Sequence, residues 1–260
     1  MRLSLCLSLA LSACAGHAPA VGSMAEGAPV AAQAPAPVDY AAVVAAPDRL
    51  DEDRALDGVR KPAAWLDFFQ VRPGQRVLEL GAGGGYSTEL LARVIGPSGQ
   101  VYSQNPLEWA GFAEQGWAPR EAAQGMGWIT RYLQPFDQPL PEGVHDLDAA
   151  LAILIYHDIH NLPADRAAMN AALFAALRPG GLYGVIDHHA AAGAGLSATE
   201  TLHRVERDTV ISEILAAGFV LEAEADFLAD PQDTRDTMAF ARPQPPTDRF
   251  VLRFRKPDAP

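Results

Sequence analysis

The sequence predicts an α/β fold: a mostly parallel sheet with helices on both faces and an antiparallel edge built by the last strands. Three observations predict it. Short apolar runs alternate with segments of helical period from residue 62 onward. The run Leu147–Ile155 (LDAALAILI) is almost wholly apolar, as a strand buried on both faces must be. And Arg76–Leu80 (RVLEL) runs straight into GAGGG and then into Tyr86–Ile95 with helical spacing, a strand–glycine loop–helix unit of the kind that holds nucleotides.

The elements follow in order. Residues 1–14 (MRLSLCLSLALSAC) have an early Arg2, an apolar run and small residues, the outline of an export leader. Its end, Leu11-Ser12-Ala13-Cys14, resembles the bacterial lipobox, which implies cleavage before Cys14 and a lipid on that residue. Ala15 in place of a retention-type Asp implies the outer membrane where the host has one. The expected location is therefore the cell envelope, with membrane attachment through lipid alone. Residues 15–47 are Ala, Pro, Gly and Val with almost no charge and no period, and read as a tether. The domain is expected over 48–260. Asp48–Phe69 is helical, with Ala64, Trp65, Phe68 and Phe69 on the buried face and Pro62 opening a second helix. After Tyr86–Ile95 come a strand at Gly99–Ser103, an irregular stretch at Asn105–Gly127 whose Trp109, Phe112 and Trp117 cover a core edge, and a weak strand at Trp128–Gln134. Leu147–Ile155 is followed by a helix at Pro163–Leu177, a Pro179-Gly180-Gly181 turn, a strand at Leu182–Ile186 and a helix from Val205 to Ala217 that stops at Gly218. Phe219–Phe227 and Arg249–Arg255 alternate as antiparallel strands.

Composition narrows the function. Among 260 residues, 49% are apolar and 20% charged, enough for one sizeable core. A formal charge of -12 repels phosphate backbones, so nucleic acid is not an expected partner. Both cysteines, Cys6 and Cys14, lie in the leader, so the domain has no disulfide, Cys nucleophile or thiolate metal site.

The chemistry begins at Glu79-Leu80-Gly81-Ala82-Gly83-Gly84-Gly85-Tyr86. A dinucleotide site wants G-x-G-x-x-G, but the third glycine position is Tyr86 and no acid ends the second strand, which weakens an oxidoreductase reading. The run instead resembles the first motif of class I S-adenosylmethionine-dependent methyltransferases, E/D-x-G-x-G-x-G. LDAALAILIYHDI is similar to their fourth-strand motif and LRPGGLYGVIDHHA to their post-motif turn and fifth strand. RKPAAWLDFF, VYSQNP, YHDIH, IDHHA, TLHRV and FVLRFRKP together resemble a bacterial family of predicted methyltransferases, many with a leader; the match spans about residues 48 to 257. The resemblance implies a Rossmann-like seven-stranded sheet and S-adenosyl-L-methionine as cofactor. Glu79, Gly81, Gly83 and Gly85 would hold its methionine end, and Asp137 would contact the adenine side. The acid that accepts the ribose hydroxyls should fall at Gln104 or Asn105; here it is an amide, which loses the charge-assisted bond pair.

Five of the seven histidines, His157, His160, His188, His189 and His203, fall where the carboxyl ends of strands four and five should lie, the edge at which open α/β sheets bind ligands. His160 is expected at the surface. His157 and His188, next to Asp158 and Asp187, are the candidate catalytic histidines, with Asp187 orienting one of them for proton transfer. No H-E-x-x-H or comparable spacing occurs, so no metal site is expected. Trp65, Trp109, Trp117 and Trp128 are expected in the core, and Arg54, Arg60 and Lys61 on a solvated helix face. The resulting expectation is a methyltransferase of a small-molecule acceptor. Its alternative is an exported binding protein that keeps the fold without the reaction.

Overall fold

The computed structural model describes residues 37–121, 126–241 and 246–258. The expected leader, Cys14 and the first two thirds of the expected tether lie outside the described residues. The body, from Val38 onward, opens with four short helices: α1 (Tyr40–Val44), α2 (Asp51–Arg54), α3 (Asp57–Arg60) and α4 (Pro62–Phe68). Strand β1 (Arg76–Leu80) leads to α5 (Tyr86–Ile95), β2 (Gln100–Asn105), α6 (Ala110–Trp117), β3 (Ile129–Leu133) and β4 (Leu147–Ile153). Then come α7 (Tyr156–Ile159), α8 (Arg166–Ala176), β5 (Leu177–His188), α9 (Thr199–Leu202), α10 (Arg207–Ala216), β6 (Val220–Ala225) and β7 (Arg249–Arg255). The seven strands form one sheet in the order β3-β2-β1-β4-β5-β7-β6. The first five are parallel, and β7 lies antiparallel between β5 and β6. No helix among the described residues is long and apolar enough to cross a membrane.

The period of two in each central strand builds two cores. Leu78 and Leu80 of β1, Ala150 and Ala152 of β4 and Tyr183 and Val185 of β5 face α8 and α10, where Met169, Leu173, Val210 and Ile214 are buried. Val77, Ala149, Leu151, Leu182 and Ile186 face the other way, onto Leu66 and Phe69 of α4 and Leu90, Leu91 and Ile95 of α5. The alanines of β4 keep the central strand thin enough for both layers to approach.

Three expectations need correction. The packed body begins before residue 48: Asp39 caps α1 through its carboxylate on the Ala42 N–H, and Tyr40 is buried with its hydroxyl donating to the Val71 carbonyl at 2.8 Å. One buried aromatic anchors what composition marks as tether. The stretch 105–127 contains a helix, α6, flanked by 3₁₀ turns. Its two glycines mask the period; Trp117 is buried as expected, but Phe112 is exposed. The Pro179-Gly180-Gly181 turn lies within β5: the register slips from Leu147↔Leu177 to Ala149↔Leu182, so the expected turn is a bulge in a longer strand.

Gly184, in the middle of β5, has its missing side chain replaced by Phe69. A Cβ there would sit 2.7 Å from both Leu151 Cδ2 and Phe69 Cε1. Gly184→Ala is therefore expected to destabilise the domain by about 1–3 kcal/mol through overpacking. Urea unfolding would read this as a lower midpoint, and adding Phe69→Leu should recover part of the loss; an unchanged midpoint in Gly184→Ala would contradict the packing account.

Candidate active site at the carboxyl edge of the sheet

The strand ends of β1, β2, β4 and β5 converge on one edge. At the first of these, the loop between β1 and α5 carries Gly81, Gly83 and Gly85 at φ of 57°, 56° and 94°, conformations that a side chain would strain. Helix α6 presses on this loop: a Cβ on Gly85 would meet Trp117 at 2.3 Å, and Gly84 lies against the backbone of Gly116. At Gly83 a Cβ would meet the exposed Phe112 in ordinary contact at 3.4 Å, which makes it the least crowded glycine of the loop.

The two amides at the end of β2 both turn back onto the loop. Gly81 N–H donates to Gln104 Oε1 at 3.0 Å and Gly83 N–H to Asn105 Oδ1 at 2.8 Å. Their amide groups donate in turn to the carbonyls of Gln134 (2.5 Å) and Gly83 (3.3 Å). Gln104 and Asn105 thus sit at the expected position and brace the loop with it. Asp137 is half-buried on the turn after β3, beside buried Phe136.

Glu79 is buried at the end of β1 and accepts from Thr88 Oγ1. Burial pushes its carboxyl up to about 7, against the hydrogen bonds from Ser87 and Thr88 and the charges of Arg120 and Arg60, all of which favour the anion. Arg120, which no local sequence signal marks, is the loop's other brace. Its Nε donates to the Gly84 carbonyl (2.8 Å), while Nη1 reaches Glu89 (2.9 Å) and Nη2 reaches Asp53 of α2 (3.0 Å). Tyr86 donates to Asp57 at 2.7 Å, and the Arg60 guanidinium lies 4.3 Å from the Tyr86 ring centre. Arg60 is therefore no solvated helix-face residue; Arg54 and Lys61 do lie on the surface, Lys61 donating to the Phe227 carbonyl.

At the other strand ends, α7 places His157 and Asp158 directly after β4, and β5 ends in Asp187 and His188. Asp187 is fully buried and takes three bonds: from His157 N–H (2.8 Å), from His157 Nδ1 (2.6 Å) and from His188 N–H (2.7 Å). Since a carboxylate only accepts, the His157 proton is assigned to Nδ1. His157 Nε2 is buried with no aligned hydrogen-bond partner, although Asp158 Oδ1 lies 3.3 Å away. His203, from the end of α9, brings Nδ1 to 3.1 Å from the same Asp158 oxygen. His188 Nδ1 meets Thr247 Oγ1 at 3.0 Å and its Nε2 is a second buried atom without a partner. The rings of His157, His188 and His203 surround Phe240, with centroids 6.0, 5.3 and 5.3 Å from it.

The two candidate histidines are driven apart in charge. Burial lowers the His157 pKa, but Asp187 and Asp158 outweigh it and lift it to about 10. Burial, followed by the charges of Arg249, His157 and Arg204, holds His188 well below its ordinary value. Of the other expected histidines, His189 turns to Asp248 (3.2 Å). His160 is not at the surface: its side chain is 2% exposed against the Tyr156 ring, and burial pulls its pKa down to about 3. The tryptophans form no cage: Trp65 is core, Trp109 meets Phe136 edge-on, Trp117 covers Gly85 and Trp128 donates to the Ala92 carbonyl.

Glu79 generates a pH dependence. Its pKa is raised from about 4.5 in the unfolded chain to about 7, so its contribution is fully present below pH 4.5 and is lost as pH rises through 7. Glu79→Gln should remove that loss. The stability difference between variant and parent is expected to move in the variant's favour by about 3 kcal/mol between pH 4 and pH 9; a difference independent of pH would show that folding leaves the Glu79 pKa unshifted.

Comparison with known proteins agrees with this geometry. The model of the protein-L-isoaspartate (D-aspartate) O-methyltransferase family matches residues 31–108, which end just after β2. The protein-L-isoaspartate O-methyltransferase of Methanothrix thermoacetophila is 46% identical over 41 residues, 16% of this chain and 20% of that protein. That of Methanothermobacter thermautotrophicus is 32% identical over 54 residues, 21% and 25% of the two. The chain thus spans a quarter or less of these curated relatives. A methyltransferase structure from Aquifex aeolicus superposes with a TM-score of 0.58 at 14% identity, over 84% of this chain and 99% of that one. The structure of a putative sarcosine dimethylglycine methyltransferase from Galdieria sulphuraria gives 0.56 at 16%, over 80% and 88%. By its sheet order and these likenesses, the chain has the fold of the class I S-adenosylmethionine-dependent methyltransferases, and its first motif lies in the stretch that matches the family model.

Proposed function

We propose that the protein is an S-adenosylmethionine-dependent methyltransferase of a small-molecule acceptor. The observation that carries the reading is one edge holding both halves of such a site: the E-x-G-x-G-x-G loop and a buried histidine nitrogen, His188 Nε2, with no partner of its own. The residues present fit the methionine end of the cofactor, with Glu79 and the loop backbone to hold it. At the ribose end, Gln104 or Asn105 must give up an internal bond to engage it, so affinity is reduced. When bound, the cofactor supplies an electrophilic methyl group. The chain's part is alignment and proton removal. In the tautomer whose Nδ1–H donates to Thr247 Oγ1, neutral His188 offers the Nε2 lone pair to the acceptor's proton, whereas His157, held cationic by Asp187 and Asp158, is a positioning group. The likeness to isoaspartyl methyltransferases falls on the cofactor half and bears on the donor. A small acceptor is favoured because His157 and His188 lie fully buried beside Phe240.

A second reading is favoured by one observation: the Gly81 and Gly83 N–H donors are already engaged by the protein's own amides. A binding protein that keeps the fold would look like this, and an exported location, where the cofactor is not made, would suit it. Calorimetric titration with S-adenosylmethionine and its demethylated product decides. Heat with either at up to millimolar concentration is expected, and its absence with both would overturn the methyltransferase reading.

Once an acceptor is found by screening small hydroxyl, amine and carboxyl compounds beside an isoaspartyl peptide, His188→Ala is expected to cut turnover about a hundredfold while leaving cofactor affinity unchanged. Unaltered turnover would remove His188 from the reaction. We also propose that Cys14 carries a lipid that holds the protein at the cell envelope; this rests on the leader sequence. Cys14→Ala should abolish incorporation of labelled fatty acid and move the protein to the soluble fraction, and a parent protein already soluble and unlabelled in its host would refute the anchor.

A further inference from the structure

We propose that His157 Nε2, Asp158 Oδ1 and His203 Nδ1 form a binding site for a divalent first-row transition metal at the carboxyl end of β4, because the fold brings these three atoms within 4.8 Å of one another and one of them, His157 Nε2, is buried without an aligned hydrogen-bond partner. The inference is separate from methyl transfer and needs no cofactor to be present.

The geometry is close to that of a loaded site. Asp158 Oδ1 lies 3.3 Å from His157 Nε2 and 3.1 Å from His203 Nδ1. Ligands at the usual ~2.0–2.1 Å from a tetrahedral ion stand about 3.3 Å apart, so these atoms need little movement to share one. The strongest single observation is His157 Nε2. Its side chain is fully buried, its other nitrogen is held by Asp187, and Nε2 has no aligned hydrogen-bond partner. A buried imidazole nitrogen left in this way is costly as a donor but serves as a ligand once deprotonated.

The surroundings have the form that ligating histidines require. A carboxylate on the far nitrogen fixes the ring and raises its basicity, and Asp187 Oδ1 does this at 2.6 Å while itself anchored by two backbone N–H groups. Two imidazoles with one carboxylate suit zinc, iron or cobalt, and not the hard ions calcium and magnesium, which take oxygen donors. Three protein ligands leave at least one position for water or an exogenous ligand, whose proton the metal would labilise. His188 has its ring 5.9 Å from that of His157 and its own Nε2 without a hydrogen-bond partner. The spacing, an adjacent His-Asp pair and a histidine 46 residues on, matches no helical ligand motif, and so only the fold reveals it.

The competing account is a metal-free ion-pair chain, His157–Asp158–His203. Full-length, tag-free protein stripped with chelator separates the two when titrated with Zn2+ by calorimetry and with Co2+ by visible absorption. One equivalent of Zn2+ is expected to bind at micromolar affinity or tighter, with Co2+ giving the intense bands of a low-coordinate site that Zn2+ then bleaches. His157→Ala, Asp158→Asn and His203→Ala should each weaken Zn2+ at least tenfold and abolish the Co2+ bands. Asp187→Asn should weaken it about 10–100-fold. His145→Ala, at the exposed His145–Asp146 pair, should change nothing. Should His157→Ala fail to fold, His203→Ala on the partly exposed side carries the test. No binding at a hundredfold excess of either metal, or binding indifferent to all three ligand variants, would overturn the site. Because the titration is run without S-adenosylmethionine, its failure would leave the methyltransferase reading standing, and failure of cofactor binding would leave the metal site standing.

Discussion

The arrangement at the carboxyl edge depends on one buried carboxylate. Asp187 is at the end of β5, wholly removed from water, where an unpaired charge would cost several kcal/mol. It is tolerated because three N–H groups converge on it, two of them backbone. Two of the three belong to His157, on the helix that follows β4. The same contacts that satisfy the charge therefore lock the ends of β4 and β5 together and fix the first turn of α7. Removing the carboxylate would leave three donors unpaired in one place, so position and chemistry cannot be altered separately here.

At the neighbouring strand ends the constraint is steric and not electrostatic. Helix α6 can lie on the glycine loop only because Gly84, Gly85 and Gly116 carry no side chains. Arg120 then closes the arrangement, joining the Gly84 carbonyl to Glu89 of α5 and Asp53 of α2. Four glycines within five residues can be read as room for a ligand alone. Here Gly85 makes room for Trp117 and Gly84 for the backbone of Gly116, while a Cβ on Gly83 would meet Phe112 in ordinary contact at 3.4 Å, so much of the glycine content serves packing.

What the sequence made legible was local. β1, α5 and β7 are read to the residue because a glycine run, a helical period and the alternation RFVLRFR each state their own limits. Gln104 and Asn105 were placed correctly at the end of β2, but their side chains turn to the loop, which only their partners' positions decide. Arg120 was not legible, because its acids lie 67 and 31 residues away; nor was Phe240, which gathers three histidines from three elements. The environment of His160 failed for the opposite reason: a polar residue at a helix entry suggests solvent, and Tyr156 covers it.

Strand order has a consequence for how the chain comes to be folded. β5 obtains its second neighbour, and β6 its only one, from β7, so the sheet cannot be completed until residues 249–255 have been made. β1 to β4 can pair as they emerge, but the hydrophobic layer that Leu252 and Phe254 share with Tyr183 and Val185 waits for the last strand. Such non-local closure slows folding and leaves a strand edge exposed during synthesis. The final commitment to a folded body therefore falls after most of the domain has been synthesised.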